Sequence, residues 1–403
     1  MKLRVAILTS IAHFINDGSG IVYSTIYPLF IIIKNFNYIQ ISLASIIFLI
    51  FSAISSLFIG RLSDITNRTA FLLGLGIGIW GFALLLLGYS LFANDYSFLL
   101  LLISSAIGGI ASSFYHPLGA SLMSRYFDKN KGLIFGINGA LGAIGRSSYP
   151  IIVTVLLSSA YLTTGDYLKF SILSIISFGV SLTILVTLKD NPNKLKLTVE
   201  NFINRNKVDK NILILITFLT IIAILKGALA QGFITFLPTF LVKEAQLNYG
   251  IDVGLITSIA LIGSVISQPL LGIISDVWGR ARTMILTTLV GSIALLSYVY
   301  IYYIPLLSYL VLFIFGLFSF EAFTLLLTFV SDLIPKHHLS TANSIVWGLG
   351  ITGGGALGPA LVGLLSSVYN LKIAYVILSI VGLSGIIPII LTLKYKEKSR
   401  REI

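Results

Sequence analysis

Apolar stretches follow one another along this chain with little between them except at one place, the polar segment 189–210. That segment carries Lys189, Lys194, Lys196, Arg205, Lys207 and Lys210 against Asp190, Glu200 and Asp209, with Pro192 near its start, and reads as a solvated, net-basic connector. Six apolar runs precede it, at 5–33, 41–60, 70–92, 97–121, 133–158 and 167–188. Six follow it, at 212–241, 251–272, 284–303, 306–329, 341–366 and 373–393. A helix needs about 20 apolar residues to cross a hydrocarbon core, and in lipid each backbone polar group must be satisfied within the spanning structure. The runs are continuously apolar rather than alternating, which predicts helices and not a barrel. The expected fold is therefore an all-α membrane protein of 12 transmembrane helices in two pseudo-symmetric six-helix halves, 1–188 and 211–403, joined by a cytoplasmic basic linker, 189–210.

Composition agrees: 56% of the 403 residues are hydrophobic and 10% charged, where a soluble domain carries roughly 25% charged residues. The formal net charge of +12 would suggest nucleic acid in a soluble protein. Its placement points elsewhere. If the N-terminus is cytoplasmic and each run crosses once, all but six of the 27 Lys and Arg fall in cytoplasmic segments or tails, the exceptions being Lys34, Lys169, Lys243, Lys372, Arg146 and Lys226. This is the positive-inside bias of a multi-pass cell-membrane protein with both termini cytoplasmic, and it makes anionic lipid the expected partner of the basic loops, with no nucleic acid. The first run is long and contains His13, Asn16 and Asp17, so it is expected to be a retained helix and not a cleaved signal. There is no cysteine, which excludes disulfides and thiolate chemistry.

The halves echo one another. Tyr27-Pro28-Leu29-Phe30-Ile31 matches Leu237-Pro238-Thr239-Phe240-Leu241, and Gly60, Asp64 and Arg68 recur at the same spacing as Gly272, Asp276 and Arg280. Transporters built from internal repeats place the substrate site between the halves near the bilayer midplane. The segments Gly60-Arg61-Leu62-Ser63-Asp64-Ile65-Thr66-Asn67-Arg68 and Gly272-Ile273-Ile274-Ser275-Asp276-Val277-Trp278-Gly279-Arg280 resemble the two copies of the loop signature of the major facilitator superfamily, with Asn67 where the pattern has glycine. His13-Phe14-Ile15-Asn16-Asp17 and Phe114-Tyr115-His116-Pro117 are similar to the fosmidomycin-resistance-like branch of those exporters. The helix-five ending typical of drug/proton antiporters is missing, so the direction of transport stays open. The resemblance implies that Asp64, Arg68, Asp276 and Arg280, with Gly60 and Gly272, form a charge clasp between helices that favours the outward-open state.

Four full charges fall inside predicted spans: Asp17, Arg146, Lys226 and Glu321. Such residues are costly in lipid and face a wet cavity or one another. His13, Asn16, Asp17, Gly20, Ser24 and Tyr27 lie on one stripe of the first helix, which suits Asp17 to pick up and release a proton. Asn138, Gly142, Gly145, Arg146 and Tyr149 form a second stripe; Arg146 is shaped to bind a carboxylate or phosphonate, or to pair with Asp17 or Glu321. Lys226 corresponds to Asn16 in the repeat and could bind an anion, while Glu321 shares a face with Thr324 and Thr328 and could carry a proton. His116, beside Pro117, is either a proton relay or a hydrogen-bond partner. Gln231, Gln268, Asn343 and Trp347 are further candidates for the cavity lining.

No nucleotide-binding loop and no metal cluster are expected; Gly76-x-Gly78-x-x-Gly81 and Gly348-x-Gly350-x-x-Gly353 are read as helix-packing glycines. The leading expectation is a monomeric, cofactor-free secondary transporter that moves a small organic anion or zwitterion by alternating access, powered by a proton gradient. The alternatives are a multidrug or cationic-compound/proton antiporter and, from other classes, an intramembrane enzyme using His13 and Asp17 or a non-transporting sensor.

Overall fold

The computed structural model describes residues 2–127, 131–157, 167–190, 210–320, 322–335 and 338–401. Among them the regular elements are all helical. They are α1 (Lys2–Ile33), α2 (Tyr38–Thr66), α3 (Thr69–Phe92), α4 (Ser97–Tyr126), α5 (Lys131–Leu156) and α6 (Tyr167–Thr187), then α7 (Lys210–Lys243), α8 (Ile251–Trp278), α9 (Arg280–Ile301), α10 (Pro305–Ser319) and α11 (Ala322–Leu333). After α12 (Leu339–Ser344) the chain continues through a π-helical run, Ile345–Gly353, and a single 3-10 turn, Gly354–Ala356, into α13 (Leu357–Val368), α14 (Leu371–Ser384) and α15 (Ile386–Arg401).

Ten helical stretches among the described residues are long and apolar enough to cross a membrane, including the merged runs Ala342–Val368 and Leu371–Lys396. An eleventh is reached if Ile251–Ser267 and Pro269–Trp278 form one span. Of the tenth predicted run, 306–329, the described residues form α10, capped at Phe320, and α11, which begins at Ala322. Burial is inverted relative to a soluble protein. Phe58, Phe82, Val186 and Leu306 are exposed, whereas Asn16, Asn138 and Lys226 are buried, as expected where the solvent is hydrocarbon.

Packing follows the repeat. α1 rests on α5 and α3 on both α4 and α6; in the second half α7 rests on the π-helical run and α13, and α14 on α9. Glycine sets the closest approaches: Gly145 leaves room for the backbone carbonyl of Phe14, and Gly358 does the same for Ala228. The dinucleotide-like glycines serve the same end, with Gly78 against Ser181, Gly81 against Phe178 and Gly350 against Ala223. Between the two sets of helices, α5 packs on α8, and α2 on α13 and the π-helical run. Ser42 Oγ donates to the Pro359 carbonyl at 2.6 Å, Ser45 and Thr235 share a hydroxyl hydrogen bond of 3.1 Å, and Gly254 accommodates Thr154. The Ser42, Ser45 and Gly254 contacts lie towards the side opposite the α2–α3 connection, whereas α2 meets the π-helical run further along, at Ala53 with Gly353 and Leu57 with Gly348.

Two expectations from the sequence need correction. The residues of the loop signature are mostly helical: α2 continues to Thr66, so Gly60 and Asp64 sit in its last turns, and Asp276 does likewise in α8. What ends each helix is one left-handed or positive-φ residue, Asn67 at φ 53° and Gly279 at φ 97°. Asn tolerates that conformation better than other residues with a side chain, which accounts for its standing where the pattern has glycine. Asp190 is also not a solvated linker residue. Its two oxygens accept from the backbone N–H groups of Ala70 and Phe71 at 2.8 and 2.9 Å, capping the start of α3. Residues 191–209 of the linker lie outside the described residues.

Candidate functional site

The predicted stripes on α1 and α5 face each other, and α4 closes the third side. Asp17 Oδ2 accepts from Arg146 Nη2 at 2.7 Å, and its Oδ1 accepts from Asn16 Nδ2 at 3.1 Å. His13 Nε2 lies 3.5 Å from Asp17 Oδ2, one turn back on α1, and His116 Nε2 approaches Asp17 Oδ1 from α4 at 3.7 Å. His13 stacks on Tyr115 with ring centroids 4.2 Å apart, and its Nδ1 lies 2.9 Å from the Asn138 carbonyl and 3.0 Å from Asn138 Oδ1. Tyr115 donates to Asn138 Oδ1 at 2.8 Å, and Asn138 Nδ2 donates to Ser10 Oγ at 3.3 Å. Gly142 admits the imidazole: a Cβ there would overlap the His13 ring. Tyr149 packs on Gly18 and edge-on against Phe14.

Arg146 is thus paired with Asp17, as one of its two readings had it. A quarter of its side chain remains exposed, and the guanidinium carbon lies 6.0 Å from the ring of Phe320, in the other half. The cation therefore reaches the seam between halves. One atom each of His13, Asp17 and His116 lie within 4.8 Å of one another, a spacing that could hold a metal ion. A guanidinium hydrogen-bonded to the same carboxylate opposes a second cation there, so we do not read these residues as metal ligands.

In the second half, Lys226 Nζ donates to Thr287 and Thr288 on α9, both at 3.2 Å. Its counterpart Asn16 reaches α3 in the same way, accepting from Trp80 Nε1 at 3.0 Å. Trp80, Thr287 and Thr288 were not singled out from the sequence. A tryptophan inside an apolar run, whose indole N–H needs a partner there, was the available signal for Trp80; two threonines in an apolar run give none. Glu321 and the side chain of Gln268 lie outside the described residues. Asn343 is half-buried and its Oδ1 is without a partner among the described residues, and Trp347 sits in the π-helical run. Tyr27 and Gln231, with Tyr23, Ser45, Phe48 and Thr235, line a small cavity of about 40 Å³ between α1, α2 and α7. That is room for a few waters and not for an organic solute.

The two copies of the signature differ. Arg280 bridges Asp276 at 3.1 Å and Asp332 on α11 at 2.7 Å, so the second copy is a closed clasp between helices. Asp64 and Arg68 are exposed and form no ion pair among the described residues. Gly60 lies near Pro117, and Gly272 faces open space.

Comparison with known proteins fits this architecture. Over 391 residues the chain is 23% identical to the fosmidomycin resistance protein of Escherichia coli (strain K12), covering 95% of this chain and 91% of that protein. It is 30% identical over 146 residues to an uncharacterized MFS-type transporter, YfkF, of Bacillus subtilis (strain 168), covering 33% of this chain and 37% of the other. Among solved structures, a bacterial homolog of the human lysosomal transporter Spinster, inward-facing and unoccupied, superposes with a TM-score of 0.74 at 15% identity, covering 99% of this chain and 97% of that one. The nucleoside transporter NupG gives 0.72 at 16% identity, covering 97% of this chain and 99% of that one. A profile of the Major Facilitator Superfamily matches residues 9–347. The chain is a multi-pass membrane protein and belongs to the Major Facilitator Superfamily of transporters, which are not enzymes.

Proposed function

We propose that this transporter moves a small organic anion or zwitterion across the cell membrane by proton-coupled alternating access, with both termini in the cytoplasm. The observation that carries the reading is the position of Arg146. Its guanidinium holds Asp17 within one half and also presents an exposed edge to Phe320 of the other. A planar cation at the seam suits a carboxylate or phosphonate, which it can bind through two parallel hydrogen bonds. Lys226 adds positive charge at the matching depth in the second half.

The same pair supplies the coupling. Solute anion and ionised Asp17 compete for one guanidinium, so occupancy by the solute depends on where the proton of the cluster sits. The contacts of Ser42 with Pro359 and of Ser45 with Thr235, near the predicted extracellular end of α2, support contact between the halves on that side. The function of the E. coli relative, as its name gives it, makes fosmidomycin a reasonable first solute to try.

The test is tracer accumulation in proteoliposomes under an imposed proton gradient, with fosmidomycin, other organic anions, nucleosides and cationic drugs as the panel. Gradient-driven movement of anions that is lost in Arg146→Ala supports the reading. Movement of cations that survives Arg146→Ala would replace it with a cationic-compound antiporter.

A further inference from the structure

We propose that the proton this transporter exchanges resides on Nε2 of His13, in the gap facing Asp17, and not on Asp17 itself. The inference rests on the proton-coupled reading above for its functional part and on geometry alone for the position of the proton.

The geometry begins with an acceptor that cannot flip. His13 Nδ1 lies 2.9 Å from the backbone carbonyl oxygen of Asn138, and a carbonyl only accepts. Nδ1 must therefore carry hydrogen, whichever way the Asn138 amide is turned. In a neutral imidazole the other nitrogen then has a bare lone pair. That nitrogen, Nε2, faces Asp17 Oδ2 at 3.5 Å, so two acceptors would confront each other inside the protein. A proton between them removes the conflict.

Asp17 is the poorer host for it. Its Oδ2 already takes the short bond from Arg146, and its Oδ1 takes the Asn16 amide, so both oxygens are engaged as acceptors. Protonating Oδ2 would set a hydrogen against the guanidinium. On Nε2 the proton keeps both of those bonds and adds a charged contact to the same carboxylate. Gly142 leaves the space in which Nε2 sits, and the Tyr115 ring holds the imidazole plane.

The titratable and charged groups facing His13 are Asp17 on its own helix, Tyr115 and His116 from α4, and Arg146 from α5. His116 stands edge-on to His13 with centroids 5.4 Å apart and contacts the other oxygen of Asp17, so it is placed to pass the proton on. When solute anion takes Arg146, the freed carboxylate becomes the stronger base beside Nε2–H. The proton then passes by way of Asp17 to His116 and leaves the cluster, so that His13 ends as the neutral Nδ1–H form and Asp17 ionised. Binding of the anion is thereby linked to one proton leaving the cluster.

The experiment is nitrogen NMR of the full-length protein in lipid nanodiscs with 15N-labelled histidine, through an acid-to-alkaline series. The chain has only four histidines, so His13 is assigned by its loss in His13→Gln. Infrared difference spectra against Asp17→Asn follow the carboxyl group in parallel. The expected result is that on acidification His13 gains hydrogen at Nε2 while Asp17 stays ionised, and that the proton lost on alkalinisation leaves the Nδ1–H form. In Asn138→Ala, which keeps the backbone carbonyl, the tautomer should be unchanged; in Gly142→Ala, which crowds the ring, the Nε2 signal should move. If Asp17 protonates first while Nε2 stays bare, the proposal is overturned.

Solute-linked proton flux in proteoliposomes, with fosmidomycin as the first probe, supplies the functional arm. His13→Gln should abolish proton movement. Wild-type flux in that variant, despite the predicted spectra, would make the proton structural and overturn its role as the exchanged one. No flux in the wild type with any solute would sink the coupled-transport reading itself, and the spectra would still decide which group holds the proton.

Discussion

The two halves share a scaffold and differ in chemistry. In the first, α1 and α5 meet at Gly145 and Phe14, and around that contact sit His13, Asp17, Asn138 and Arg146. In the second, α7 meets the glycine-rich run at the corresponding pair, Ile224 and Gly354, and Gly355 stands where the repeat has Arg146. Asn16 and Lys226 occupy equivalent positions and both reach the third helix of their half, one to an indole and one to two hydroxyls. Backbone packing needs the symmetry, because each half must close in lipid without exposing polar backbone. Side-chain chemistry is under no such constraint, and the described cluster of His13, Asp17, His116 and Arg146 belongs to the first half.

The largest expected effect comes from breaking the Asp17–Arg146 pair on one side only. Arg146→Ala or Asp17→Asn leaves a partly buried group without its counter-charge, a loss on the order of 3 kcal/mol. Thermal unfolding in detergent, followed by intrinsic fluorescence, should show it. The double variant Asp17→Asn/Arg146→Gln should recover most of that stability and remain inactive in transport, which separates folding from function.

Next come the paired glycines. Gly145→Ala and, at its repeat counterpart against Ile224, Gly354→Ala should each cost about 1–3 kcal/mol by forcing helices apart, and by similar amounts if the packing is symmetric. Gly136→Ala, with nothing within 4 Å of the added carbon, should be neutral in the same assay. Unequal losses at 145 and 354 would break the symmetry of the scaffold.

Trp80→Phe should cost about 1–2 kcal/mol, because Asn16 Oδ1 loses its donor in a dry interior. The smallest effects belong to the two signature copies. Arg280→Gln should lower stability by about 0–1 kcal/mol, and Asp64→Asn, exposed, should change it by less than about 0.5 kcal/mol. Equal effects at both would show that the first copy is also engaged in solution.

The sequence was most legible where lipid imposes its own rules. Continuous apolar runs, a basic linker and a repeated loop signature specify the spans and the family because hydrocarbon leaves few other solutions. The α1 and α5 stripes were legible for a related reason: ionisable residues in lipid must face each other or a cavity, so His13, Asp17 and Arg146 could be expected to converge. Partners supplied by distant helices were not legible. Thr287 and Thr288 for Lys226, Trp80 for Asn16 and Asp332 for Arg280 are fixed by tertiary packing and leave no periodic trace. Asp190 was misread because a charged residue beside a polar linker resembles solvated chain, and only the fold shows the start of α3 beneath it.

The central claim is that solute and proton meet at the Asp17–Arg146 pair. Its most direct measurement is the proton change on solute binding, read with a pH indicator on purified protein in weakly buffered detergent as an active anion is added. The account predicts a proton change with each bound anion in the wild type and none in Asp17→Asn, the sign separating symport from antiport. An unchanged proton signal in Asp17→Asn would contradict it and move the coupling out of the first half.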